Sequence, residues 1–159
     1  MYLNCHTYYS LRFGALSEVD LLELAQKNNI SILALTDINN TSACLNFIRK
    51  AKVFNIKPII GIDFRNGASQ QFVGIAKNNA GFQELNVFLS ELSHQKKRVP
   101  DNAPPFNNVT VIYPFEKVLQ NEKKQFKDYE FIGVSVEELK KLPFSIYKLS
   151  SSPTLTPSP

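Results

Sequence analysis

The chain's 159 residues suit one domain, and 43% hydrophobic against 20% charged side chains is enough apolar material for a core and too much for wholesale disorder. A formal charge of +4 permits contact with nucleic acid but does not argue for it, because Lys and Arg are spread along the chain. Two cysteines, Cys5 and Cys44, make no disulfide framework. No basic and apolar leader opens the chain and no apolar run approaches about 18 residues, so the expectation is a cytoplasmic protein with reduced thiols, no signal peptide and no membrane span.

Residues 1–6 read as a short strand that puts Asn4 and His6 on one face. An aromatic loop over 7–14 carries Tyr8, Tyr9 and Phe13. Ser17, with Asp20 three residues on, caps a helix whose apolar face is Val19, Leu21, Leu22, Leu24 and Ala25, and Asn28–Asn29 end it. Residues 30–35 are a compact apolar run, as in a strand buried on both faces. A helix over about 42–53 follows, with Ala43, Cys44, Phe47, Ile48 and Ala51 as its apolar positions. Residues 57–64 are the next strand, Asn66–Gly67 a turn, and 71–76 a strand antiparallel to its neighbour because the connection is short. Residues 79–93 show helical spacing through Phe82, Leu85, Phe88, Leu89 and Leu92.

Residues 93–108 are polar and carry Pro100, Pro104 and Pro105, which predicts a long surface loop. Its cluster of Lys96, Lys97 and Arg98 beside His94 reads as solvated, with phosphate contact as the alternative. A strand over 109–113, a charged helix or loop over 116–128, and a strand over 131–134 come next. Ser135 and Glu138 form a capping box, and 146–149 could be a last strand. The domain is expected to run over 1–149, and 150–159, which contain only Ser, Thr, Pro and one Leu, to be a disordered tail. Strands alternating with helices predict an α/β fold with a mainly parallel sheet, open or barrel-like.

In such folds ligands gather at the C-terminal ends of the strands. His6, Asp37 and Asp63 fall at those ends. One His and two carboxylates suit a divalent metal such as Zn²⁺ or Mn²⁺. The competing readings are a hydrogen-bonded structural His and two Asp side chains that cap backbone N–H groups. There is no nucleophile elbow, P-loop or dinucleotide fingerprint.

Four segments in order carry a resemblance. They are Asn4-Cys5-His6-Thr7-Tyr8-Tyr9-Ser10-Leu11-Arg12-Phe13-Gly14, then Ala34-Leu35-Thr36-Asp37-Ile38-Asn39-Asn40, then Ile56-Lys57-Pro58-Ile59-Ile60-Gly61-Ile62-Asp63, then Gly74-Ile75-Ala76-Lys77-Asn78 with Gly81-Phe82-Gln83-Glu84-Leu85. These resemble the opening motifs of PHP (polymerase and histidinol phosphatase) domains in bacterial DNA polymerase III alpha subunits. The resemblance implies a distorted βα barrel, present here only as its N-terminal portion, and a family site that binds metal ions. Of the implied ligand positions, His6 is kept and Asp63 stands one methylene shorter than the family's Glu, while Asn4, Phe13, Ile38 and Gln71 replace metal donors. Asp37 matches the motif but not a ligand position.

Two remaining donors do not make a hydrolytic metal centre, which needs about three or more protein ligands and an open position for water. Phe13 and Ile38 are expected to fill the cavity with hydrocarbon, and Asn4, His6, Asp37 and Asp63 to hydrogen-bond one another. The expectation is a scaffold segment of a DNA-directed DNA polymerase with no metal or catalytic residue of its own. Its implied partners are the remainder of the alpha subunit, the proofreading subunit and, through the parent enzyme with its Mg²⁺, DNA. The alternatives are an active metal-dependent PHP phosphoesterase or 3′–5′ exonuclease using His6 and Asp63, and an unrelated α/β interaction module.

Overall fold

A computed structural model describes residues 2–119 and 126–140. Within them the elements run β1 (Tyr2–Cys5), α1 (Glu18–Lys27), β2 (Ile32–Leu35), α2 (Cys44–Ala51), β3 (Lys57–Asn66), β4 (Ser69–Ala76), α3 (Asn79–His94), β5 (Val109–Pro114), α4 (Phe115–Leu119), β6 (Glu130–Gly133) and α5 (Val136–Leu139). The six strands form one sheet in sequence order. β1, β2 and β3 pair in parallel, β4 runs antiparallel to β3 and β5, and β5 is parallel to β6. All but β4 therefore point one way and deliver their C-terminal ends to one edge. The curled sheet leaves β1 and β6 unpaired with each other, so it is an incomplete barrel of the α/β class.

Local chemistry fixes the joints. Ser17 and Asp20 form the expected capping box of α1, and Asn29, at φ 56°, turns the chain out of it while Ile30 N–H donates back to Ala25 O. Gly67, at φ 62°, makes the tight turn between β3 and β4. Alternation along the strands then sorts side chains onto two faces. On one face Leu33 and Leu35 pack with Leu22, Ala25, Phe47 and Ala51 of α1 and α2. The same face farther along carries Ile62, Phe64, Phe72, Val109, Val111 and Tyr113, covered by Leu85 of α3. The opposite face holds only a small cluster of Ala34, Val73 and Ile75.

Two expectations need correction. Leu24 is 51% exposed, because two residues from Leu22 is roughly 200° around a helix. The buried positions of α1 are Leu22, Ala25 and, in its first turn, Glu18, which accepts from Lys50 Nζ at 3.1 Å. Residues 93–108 are not a plain surface loop: Val99 and Phe106 enter the core, and Asn66 clamps Val99 by both its N–H (2.9 Å) and its C=O (2.8 Å). Residues 96–98 are exposed, as a solvated loop requires. Within 116–128, α4 covers the start and 120–125 lie outside the described residues. The proposed strand at 146–149 and the tail at 150–159 also lie outside them. No described helix is long and apolar enough to cross a membrane.

Candidate functional site at the strand ends

β1 presents Asn4, with His6 just beyond it; β2 leads into Thr36 and Asp37; β3 carries Asp63 and Arg65 on one face. Opposite them the register slips: Phe64 faces Phe72 but Arg65 faces Gln70. Gln71 is thus an extra residue, a bulge that re-aims side chains at the rim of the sheet.

Asp63 is wholly buried. Its Oδ2 accepts from Arg65 Nε at 2.9 Å and from Arg65 Nη2 at 2.8 Å, and meets His6 Nε2 at 3.0 Å. The guanidinium in turn lies 4.7 Å from the centre of the Phe13 ring. Burial pushes the Asp63 carboxyl upward, but the hydrogen bonds from His6 and Arg65, the proximity of Gln70 and the charge of Arg65 outweigh it and hold the group below its ordinary value. Among the described residues, three buried atoms have no hydrogen-bond partner: Asp63 Oδ1, Gln70 Nε2 and Gln71 Oε1. Gln70 bears on Asp63 without reaching hydrogen-bond geometry, and Gln71 Nε2 turns to Ser69 O and Oγ, each at 3.0 Å. An open cleft of about 630 Å³ adjoins the site, bounded by Asn4, Arg65, Gln70, Val73, Ile112 and Lys117 among others.

Asp37, also wholly buried, does different work. It accepts from Thr7 N–H (2.7 Å), Thr7 Oγ1 (2.7 Å) and Ser10 Oγ (2.6 Å), and so ties the loop after β1 to the end of β2. Ser10 Oγ accepts in turn from Ile38 N–H at 2.9 Å. Asn4 accepts from Thr36 Oγ1 at 2.8 Å.

His6 and Asp63 therefore meet, as the sequence suggested, but Asn4 and Asp37 do not join them. The short polar side chains each reach only the nearest loop. Of the two hydrocarbon replacements, Phe13 is 47% exposed, and Ile38 is half-buried beside Asp63, which it meets through a backbone bridge. The group set against Asp63 is the guanidinium. Sequence reasoning missed Arg65, Thr7, Ser10 and Gln70. Period-two spacing was the available signal for Arg65, since it stands two residues after Asp63 on one strand.

A PHP domain profile matches residues 3–133. The chain is 41% identical over 95 residues to a DNA polymerase III subunit alpha from Ureaplasma parvum, covering 60% of this chain and 10% of that one. It is 33% identical over 108 residues to the subunit of the same name from Borreliella burgdorferi, covering 59% and 9%. The chain thus spans about a tenth of the length of these curated relatives. Among solved structures, a proposed metal-dependent phosphoesterase from Bifidobacterium adolescentis matches at 14% identity and a TM-score of 0.45, covering 58% of this chain and 33% of that one, a likeness too loose to bear on function. With a profile match over most of its length, this chain belongs to the PHP domain family.

Proposed function

We propose that the chain is the PHP portion of a bacterial DNA polymerase III alpha subunit and that its strand-end site is structural. Support for the first half is the run of relatives carrying that name. In this reading the parent enzyme extends primed DNA with deoxynucleotides in the cytoplasm, using Mg²⁺ held elsewhere in the longer protein. This domain packs against the polymerase core and meets the proofreading subunit.

The observation behind the second half is the Arg65 guanidinium on Asp63 Oδ2. Two N–H groups and His6 already take that oxygen, and His6 Nε2 is spent on it. Among the described residues no three His, Cys, Asp or Glu side chains gather as a ligand shell. A divalent ion placed on the same carboxylate would also repel the guanidinium. This donor set does not suit a hydrolytic metal centre. One observation favours the rival, an active phosphoesterase or 3′–5′ exonuclease: Asp63 Oδ1 and Gln71 Oε1 are free to accept.

Elemental analysis of the purified chain after dialysis against Zn²⁺ and Mn²⁺, with release of nucleotide from single-stranded DNA assayed alongside, separates the two. The structural reading expects substoichiometric metal and no metal-dependent release. A full equivalent of metal together with metal-dependent release would establish the rival.

A further inference from the structure

We propose that Arg65 is the resident cation of this site and that, through Phe13, it holds the loop of residues 7–16 against the sheet. The proposal rests on the structural reading given above. A wholly buried carboxylate is costly unless hydrogen bonds or an opposite charge compensate it, and where Asp37 collects three neutral donors, Asp63 has a cation two residues farther along the same face of β3. Arg suits the place better than Lys. Its planar fork gives Asp63 Oδ2 two N–H bonds while its flat face stays free for a ring. Phe13 covers that face at 4.7 Å.

The loop has few other ties at its tip. Asp37 secures its beginning through Thr7 and Ser10, and Tyr8 N–H donates to Leu16 O at 2.9 Å across its neck. Leu11 is 82% exposed and Arg12 sits at φ 71°. Phe13 on Arg65 is the contact that joins the tip to β3. A metal ion at such a site would neutralise the carboxylate and cross-link the segments around it. Here one side chain does both, and the unpartnered Asp63 Oδ1 and Gln71 Oε1 mark acceptor capacity that Arg65 leaves unused.

The test is hydrogen exchange of residues 8–16 in the natural chain and in Arg65→Met, Arg65→Lys and Phe13→Leu, each with and without Mn²⁺. In Arg65→Met these amides should exchange about tenfold faster, with Mn²⁺ reversing part of the change. Arg65→Lys, which keeps the charge but loses the fork, should fall between. Phe13→Leu should loosen the loop with no response to Mn²⁺. Unchanged loop exchange in Arg65→Met would overturn the proposal, and acceleration that Mn²⁺ does not touch would overturn its cation half. Should Arg65→Met lose protection throughout, Phe13→Leu decides: acceleration confined to the loop upholds the tie, and none removes it. Slowing of the loop by Mn²⁺ in the natural chain would instead sink the structural reading itself.

Discussion

Asp37 and Asp63 are both buried carboxylates, yet they differ in what compensates them. Asp37 accepts from three neutral donors, so it fixes the loop after β1 without a cation. Asp63 accepts from a charged fork and from His6. Its folded carboxyl holds a proton less tightly than an ordinary aspartate at 3.8. The stabilisation is therefore complete above that value and is lost as pH falls through it toward the lower folded one. Asp63→Asn should cost about 3 kcal/mol at neutral pH, because it leaves a nearly buried guanidinium unpaired. It should also flatten the acid limb of a urea-stability profile below pH 3.8. A variant whose acid limb runs parallel to that of the natural chain would show that Asp63 does not shape it. Pattern alone placed His6 and Asp63 together by setting both at strand ends, although β3 runs on past Asp63 to Asn66. It could not show which donors Asp37 collects, since Thr7 and Ser10 lie in a loop whose path no periodicity records.

At the scale of elements, α3 shows how closely a helix and a strand can be set. Asn78 caps the helix by accepting from Gly81 N–H at 2.9 Å. Glu84, one turn on, accepts from Asn107 N–H at 2.9 Å and from Asn108 Nδ2 at 2.9 Å, which pins the start of β5. A Cβ on Gly81 would stand 2.0 Å from Asn108 O, so the glycine is there for backbone approach. Alanine gains about 0.5–1 kcal/mol of helix propensity there. Overpacking costs about 1–3 kcal/mol, and more when the obstacle is backbone, so the clash wins. Gly81→Ala should lower stability by roughly 2 kcal/mol in chemical denaturation, and a neutral or stabilising result would mean that β5 yields easily. Caps, hairpin turn and strand cores were legible because each is written in a few adjacent residues. The inward turn of Val99 and Phe106 was not, because Asn66, which clamps Val99, lies over thirty positions away on the far side of β4 and α3.

Across the whole molecule, the sheet's two faces are unequally covered. Among the described residues, eight or nine buried side chains form each cluster under the helices, against three on the opposite face. β6 adds a further weakness: it is four residues long, pairs only with β5 among the described strands, and exposes 53% of Phe131. Local stability follows such coverage. Amide exchange should therefore open β6 well before β2 and β3, at conditions where the helix-covered clusters stay closed. Uniform protection across the sheet would contradict this ordering.

Arg65 has a last consequence, for how the fold answers to its chemical surroundings. A bound ion comes and goes with supply, and every site that depends on one is shared out among competing chelators. A guanidinium tethered to the chain is present once in every molecule, at an effective concentration that dilution does not change. On the reading offered here, folding of this region is uncoupled from metal homeostasis. Whether a cell is starved of or flooded with transition metals, the strand-end site is assembled as soon as the chain is.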